Sequence, residues 1–168
     1  MDRAKMVDVY GGALAPVLSE EDIPAQVADR RTRYVLCNLG VPSSFEDLIS
    51  TNVCGLRPLR DSLVGLQLPV WAQRESILIL GTFLESFLCL DGENGEVVAL
   101  TPQMREEAVL IASHLETFST INFKLTKKLQ EGVKPTNRDE LERTIRDVDA
   151  AALESSDMWA RVVQYIVS

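Results

Sequence analysis

Three short apolar runs between residues 76 and 101 constrain the fold of this chain most. They are Ser76–Leu80, Ser86–Leu90 and Glu96–Leu100, and the last two are joined by Asp91–Gly95, which is dense in turn-forming residues. Short apolar runs bounded by such residues are typical of antiparallel strands connected by tight turns. We therefore expect an antiparallel meander at the centre of the fold.

Helices are predicted before this sheet, with irregular chain between them and it. A first helix covers residues 2–10 and ends at Gly11. A second begins at Ser19–Asp22 and ends near Leu39, before a Gly-x-Pro element. Residues 43–75 carry scattered apolar side chains, which predict irregular chain with one or two short strands.

The chain after Pro102 is predicted to be helical. Ser113–Glu116 has the capping-box spacing and opens a helix that runs up to Gly132. Asn137–Glu140 repeats the capping pattern, and a last helix carries Trp159 on its apolar face. We expect this tryptophan to anchor the last helix on the body of the protein.

Together these elements predict an α+β fold in which helices flank a twisted antiparallel sheet. The chain has 168 residues, of which 46% are hydrophobic, and this is enough for one core. We predict a single domain over residues 1–168, with residues 1–20 as an N-terminal appendage and 137–168 as a C-terminal helical segment.

The charge of the chain argues against nucleic-acid binding. It has 25 acidic and 17 basic residues, a formal net charge of −8. Binding to a phosphate backbone depends on Lys and Arg, whereas an acidic protein associates quickly with a basic partner. The alternative is that the charge serves only solubility.

The cysteines and the N-terminus indicate an intracellular protein. The chain has three cysteines, Cys37, Cys54 and Cys89, which is an odd number, and no two of them lie in a C-x-x-C spacing. Each has apolar neighbours in the sequence. We therefore expect three buried free thiols in a reducing cytoplasm. Neither a signal peptide nor a membrane-spanning run is evident.

Residues that could carry catalysis are few. His114 is the single histidine, and we place it just past the cap of its helix, either as a general base or as a surface residue. Nucleophile-elbow, P-loop and dinucleotide-binding motifs are absent. Asp91–Glu96 fails the EF-hand pattern at its sixth and twelfth positions. We expect no cofactor, no metal and no catalytic residue.

Acidic residues concentrate between positions 85 and 116, where seven of them accompany one base, Arg105. Such a face on a meander could meet a basic partner, although the same residues could simply be hydrophilic turns. The candidate partner-binding residues are Glu85, Asp91, Glu93 and Glu96.

Four stretches carry a family resemblance in their order and spacing. They are a helix ending in Gly-x-Pro, a strand–Gly–strand core that leads into Gly-Glu-Val, a helix start with Ser and Glu, and a closing Asp/Ala/Trp segment. These stretches are Leu39–Pro42, Ile79–Gly81 with Leu88–Asp91 and Gly95–Val97, Ile111–Phe118, and Asp149–Leu153 followed by Trp159. The chain thereby resembles the SUKH superfamily of bacterial immunity proteins, specifically its fourth subfamily.

The resemblance implies an α+β fold around a twisted antiparallel sheet and a toxin-immunity function in the cytoplasm. Immunity proteins of this kind bind and neutralise a cognate toxin, often a nuclease or a nucleic-acid deaminase. The mechanism that we expect is a stoichiometric complex that covers the substrate-binding surface of the toxin. No catalytic residues come with the resemblance. Two alternatives stay open: a regulatory protein-interaction module without a toxin, and a cryptic enzyme that uses His114 with nearby carboxylates.

Overall fold

A six-stranded antiparallel sheet forms the centre of the protein, and its strands lie side by side in chain order. The computed structural model describes residues 2–131, 138–155 and 157–168. The predicted meander is confirmed, as are the short strands expected between residues 43 and 75. The strands are β1 Ser44–Phe45, β2 Ile49–Thr51, β3 Ile77–Phe83, β4 Ser86–Asp91, β5 Val97–Leu100 and β6 Val109–Ala112.

The sixth strand corrects the prediction that the chain after Pro102 is helical. β6 pairs with β5, with Val98 opposite Leu110, and its Ile111 is fully buried. A four-residue apolar run does not distinguish a buried strand from a helical segment by periodicity. The unpaired backbone groups at the edge of β5 decide between them, because they gain partners only if this run is a strand.

Most helices cover one face of the sheet, while the one-turn helix α3 and short turns cover the other. Alternating side chains divide the sheet into two faces, so that Leu88 and Leu90 lie in the main core while Cys89 lies in a smaller core on the reverse face. The helices are α1 Arg3–Tyr10, α2 Arg30–Tyr34, α3 Leu59–Ser62, α4 Leu115–Gln130, α5 Arg138–Arg146, α6 Ala150–Glu154 and α7 Met158–Val167.

The main core draws on both ends of the chain. Met6 and Tyr10 of α1 belong to it, as do Val162 and Val163 of α7. The predicted limits of the first helix are confirmed, since α1 ends where Gly11 adopts a φ of 52°. The division of the chain into one domain with an appendage stays a prediction.

The second predicted helix begins later than expected. Its end near Leu39 is confirmed, where α2 continues as a π-helical turn and Gly40 takes a φ of 83°. Its predicted start at Ser19–Asp22 is wrong, because only a short 3₁₀ turn forms there. Tertiary contacts decide this: the N–H groups of Ala28 and Asp29 donate to the carbonyl of Gly92 at 2.7 and 3.0 Å.

The contact with Gly92 brings the β4–β5 turn against the start of α2. Asp29 then caps α2, accepting a hydrogen bond from the N–H of Thr32 at 2.7 Å. A Cβ atom on Gly92 would lie 2.3 Å from the carbonyl oxygen of Gln26, so the approach requires a glycine at this position.

The capping box of α4 is displaced by one residue from its predicted position. His114, not Ser113, is the N-cap, and its N–H donates to the Thr117 hydroxyl at 3.1 Å. Ser113 is engaged elsewhere, because its N–H and hydroxyl both donate to the carboxylate of Asp149, at 2.6 and 2.9 Å. Asp149 also caps α6 through the N–H of Ala152.

The prediction that Trp159 anchors the last helix is confirmed. Its side chain is fully buried, and its indole N–H donates to the carbonyl of Ile111 at 2.8 Å. Its ring meets Phe83 edge-on, with centroids 5.1 Å apart. The predicted cap at Asn137 and the predicted helix end at Gly132 fall outside the described residues.

The prediction of three buried thiols holds for one cysteine only. All three are free, but Cys54 is exposed and Cys37 is half-buried, whereas Cys89 is buried in the reverse-face core. Apolar neighbours in sequence do not determine burial, because Cys54 lies in a short 3₁₀ turn whose buried residue is Val53.

The burial of Cys89 predicts a loss of stability at alkaline pH. Burial raises the pKa of its thiol from 9.0 to about 12 and also raises the pKa of the Tyr10 hydroxyl. Above about pH 9 the unfolded chain loses the thiol proton while the folded chain keeps it, so the free energy of unfolding falls as pH rises. Below about pH 9 the thiol is protonated in both the folded and the unfolded chain, so its ionisation does not reduce the free energy of unfolding.

We expect urea titrations to show this loss between about pH 9 and 11, with a slope of up to about 1.4 kcal/mol per pH unit for each group. Cys89→Ala should reduce the slope, while Cys54→Ala serves as the control for an exposed thiol. An unchanged slope in Cys89→Ala would contradict the assignment.

Candidate partner-binding surface

The four acidic residues predicted to bind a partner lie at opposite ends of the sheet. Glu85 occupies the β3–β4 turn, whereas Asp91, Glu93 and Glu96 lie in or beside the β4–β5 turn. The six residues of β4 separate the two turns by about 20 Å, since a strand rises about 3.3 Å per residue. One small contact patch therefore does not include all four.

Two of the three acids of the β4–β5 turn share one counter-charge, Arg74. Asp91 is only 2% exposed and accepts hydrogen bonds from Arg74 at 2.7 Å and from the N–H of Glu93 at 3.1 Å. The Glu93 carboxylate lies 3.7 Å from Arg74, and Glu96 accepts from the Asn94 side chain. Asp91 thus stabilises the turn and does not present its carboxylate to a partner.

The other end of the sheet collects acidic residues from four separate segments, and we call it the acidic end. The β1–β2 turn lies beside the β3–β4 turn, because the N–H of Leu84 donates to the carbonyl of Leu48 at 2.6 Å. The β5–β6 loop and the start of α7 border a cleft together with Glu85. The acidic end consists of Glu46, Asp47, Glu85, Glu106, Glu107 and Asp157, all exposed.

These six carboxylates are not neutralised by ion pairs. The salt bridges among the described residues all involve other acids, such as Glu20 with Arg33 and Glu75 with Arg60. Charges that lack a counter-charge add to a common field, which extends from the surface and attracts molecules of opposite charge. The six acids outnumber Arg105 and Arg161, the two arginines that line the cleft, so this end carries an excess of negative charge that could attract a basic partner.

Backbone strain also concentrates at the acidic end. The described non-glycine residues with positive φ are Glu46 at 46°, Leu84 at 54° and Met104 at 48°, and each lies in a turn or loop of this end. A left-handed conformation costs an L-residue roughly 1–2 kcal/mol. Strain of this kind clusters at functional sites, where the surroundings hold a particular loop shape.

A different exposed surface consists of apolar side chains over the reverse face of the sheet. Val64, Leu66 and Val70 are 85%, 53% and 77% exposed, and Leu68 between them is buried. Val64 and Leu66 lie in the loop that follows α3 and line a groove together with Arg60 and neighbouring loop residues, whereas Val70 begins the 3₁₀ turn after that loop. No acidic-end residue lines this groove, so the two surfaces are separate.

His114 lacks the surroundings of a general base. As the N-cap of α4 it is half-buried, and its side chain faces the backbone of the first helical turn in the capping box. A catalytic imidazole is normally oriented by another side chain, and none bonds its Nδ1 among the described residues. Within the same part of the chain, no three metal-ligating side chains come together, and no helix has the length and hydropathy to cross a bilayer.

Comparison with known families identifies the chain. The family model for the SUKH-4 immunity protein matches residues 1–165. The chain belongs to this family. No curated protein and no solved structure shows a significant match.

SUKH-4 membership confirms the resemblance found in the sequence and extends it to the first helix. It supports a toxin-immunity role with a cognate toxin as the partner, and it implies an inhibitor that works without catalysis. The α+β architecture agrees with the expected fold.

Of the six residues of the acidic end, only Glu85 is among the residues predicted to bind a partner; Glu106 and Glu107 belong to the predicted acidic stretch but not to that set. Glu46, Asp47 and Asp157 lie far from the stretch between residues 85 and 116 along the chain. The available signal was local: acidic residues in a turn between two short strands, and at the cap of the last helix. Only the order of the strands and the packing of α7 bring these residues next to Glu85.

Proposed function

We propose that this SUKH-4 immunity protein neutralises a nucleic-acid-targeting toxin in the cytoplasm by forming a stoichiometric complex with it. A nuclease or deaminase domain needs a basic surface to hold the phosphates of its substrate. An acidic protein can occupy that surface, and opposite charges raise the rate at which the two proteins meet. The inhibitor then excludes substrate by covering the site.

The acidic end is the surface that we propose for the contact. The observation that carries this assignment is the gathering of six exposed carboxylates, none in an ion pair among the described residues, at one end of the sheet. Glu85 thus stays in the proposed contact. Glu93 and Glu96 lie at the opposite end and would take part only if the toxin spans the sheet.

The proposal is tested by capturing the partner and assaying it. The tagged protein serves as bait in its source cell, and captured proteins are identified by mass spectrometry and expressed alone to measure toxicity. We expect a partner that kills cells unless this protein is co-expressed, and a complex of fixed stoichiometry by light scattering. In vitro, the complex should lose nucleic-acid binding and activity in proportion to the inhibitor added.

Two outcomes would overturn the proposal. A partner that is not toxic would favour a regulatory interaction module. A toxic partner whose action on nucleic acid continues unchanged in the saturated complex would exclude inhibition by covering the substrate site. Competition by a short DNA or RNA duplex gives a direct check, because a ligand of the same basic surface must be displaced.

A further inference from the structure

A row of exposed, uncharged side chains crosses four strands of the sheet on the face opposite the main core. The strand register pairs each member with the next, from β1 to β4, and the members are Ser44, Ser50, Thr82 and Phe87. All four are exposed, Phe87 at 36%. Cross-strand neighbours lie about 5 Å apart, so the four side chains form one continuous strip, which we call the open row.

The open row lies on the reverse face of the sheet because side chains alternate along each strand. Phe83 and Leu88 belong to the main core, and they follow Thr82 and Phe87 directly in the chain. Leu100, which lies opposite Phe87 on β5, is buried in the smaller core. The cover over the reverse face therefore reaches β5 and leaves the sheet open where the row crosses β1 to β4.

The open row borders the acidic end along its length. The β1–β2 turn, with Glu46 and Asp47, joins the first two strands of the row, and the β3–β4 turn, with Glu85, joins the other two. The strand rise places Phe87 about 7 Å from Glu85 along the chain. An uncharged strip with an aromatic side chain thus adjoins an acidic rim. Protein interfaces have this anatomy, with an apolar, aromatic-rich centre inside a polar rim.

The charge of the rim and the shape of the row decide what kind of molecule fits. A second copy packed through the same surface would bring two acidic ends together, and like charges across an interface oppose association. Nucleic acids and anionic membrane surfaces are also negatively charged. A small molecule needs a concave site, whereas the row is the surface of a sheet. A protein with Lys and Arg side chains around an apolar patch matches both the rim and the row.

We propose that the toxin docks on the open row, with Phe87 as an apolar anchor and the acidic end as the rim that meets the toxin's Lys and Arg side chains. The small side chains of the row let the toxin surface approach the sheet closely. A few well-packed anchors carry most of the binding energy of an interface. The inference rests on the proposed function and deepens it, because it names the face of the sheet and the anchor of the contact.

Phe87→Ala should weaken toxin binding about thirtyfold, because the contact of an interface anchor is lost. Most of this change should appear as faster dissociation, and the association rate should stay within about twofold of the native rate, because the acids that steer the encounter remain. Tyr34→Ala is the matched control, since it truncates another exposed aromatic residue, on α2, and should leave both rates unchanged. Surface plasmon resonance with the purified toxin measures both rates.

Thr82→Arg tests the same surface even if Phe87→Ala fails to fold. The new side chain is long and positive, so it should hold the toxin away from the sheet and weaken binding about a hundredfold. Because Thr82 is exposed, the melting temperature should change by less than about 3 °C. Ala25→Arg is the matched control, since it adds the same side chain at an exposed residue beside Gln26, which contacts the β4–β5 turn at the opposite end.

A toxin complex that dissociates at the native rate in both Phe87→Ala and Thr82→Arg would overturn the inference and leave the immunity function intact. Equal losses of affinity in Thr82→Arg and Ala25→Arg, together with equal losses in Phe87→Ala and Tyr34→Ala, would also overturn it, because the effect would not be specific to the open row. Absence of any toxic partner would overturn the proposed function and the inference together.

Discussion

Reversing three charges at the acidic end should slow association with the toxin about a hundredfold at low salt. The variant is Glu85→Lys combined with Glu106→Lys and Glu107→Lys, all at exposed positions without ion pairs among the described residues. Electrostatic steering raises association rates by two to three orders of magnitude over those of neutral surfaces. Reversal should also flatten the dependence of the association rate on ionic strength.

The matched control changes the net charge by the same amount at other places. Glu21→Lys, Glu93→Lys and Glu96→Lys are combined in one chain, and two of these positions lie beside the β4–β5 turn. Stopped-flow association rates between about 20 and 300 mM salt compare both variants with the native protein. We expect the control variant to retain most of the native association rate at low salt and most of its dependence on ionic strength. Equal slowing in both variants would show that net charge, and not the acidic end, controls the encounter.

A slowing confined to the control variant would move the contact to the β4–β5 turn. Leu66→Asp, in the exposed apolar loop, provides a further comparison on a separate surface. A loss of affinity through faster dissociation in that variant alone would assign the interface to that loop, since truncating buried anchors acts mainly on the dissociation rate.

Trp159→Ala should lower the free energy of unfolding by about 3–5 kcal/mol. The indole is fully buried, packs against Phe83 and Phe118, and donates its N–H to the carbonyl of Ile111. The substitution leaves a large cavity between the sheet and α7 and an unpaired carbonyl on β6. A domain of ordinary stability has about 5–15 kcal/mol in total, so the variant should be close to unfolding.

Trp159→Phe separates the loss of the hydrogen bond from the loss of apolar packing. The phenyl ring retains most of the apolar contact, while the hydrogen bond to Ile111 disappears, so we expect a loss of about 1–2 kcal/mol. Urea unfolding followed by circular dichroism measures both variants. Trp71→Phe is the comparison at an exposed hydrogen bond, because that indole is half-buried in the smaller core and donates its N–H to the carbonyl of Arg105 at the surface. A loss of less than about 1 kcal/mol in Trp159→Ala would contradict the anchoring role.

The two predictions meet at α7. Trp159 holds the helix on the body of the protein, and Asp157, just before that helix, belongs to the acidic end. Variants that loosen α7 without unfolding the protein should therefore reduce toxin affinity as well. Trp159→Phe offers that comparison, because it retains enough packing to stay folded.

Part of the candidate site could be found from the sequence. Glu85, Glu106 and Glu107 stand out because acids are dense in that stretch and the turns between apolar runs are recognisable. Asp91 belongs to the same stretch, yet its side chain turns inward to Arg74. A count of charges cannot separate an exposed carboxylate from a buried, paired one, because pairing depends on which distant residue packs beside it.

The sequence by itself determined the central strands, the helix ends at Gly11 and Leu39, the burial of Trp159 and membership of the immunity family. These features depend on apolar periodicity and turn chemistry, which act over a few residues. Tertiary structure alone decided that α2 begins at Arg30, that β6 is a strand, and that acids from four segments meet at one end of the sheet. Such features depend on hydrogen bonds and charges between residues far apart in the chain, whose distances are set only when the sheet and helices pack.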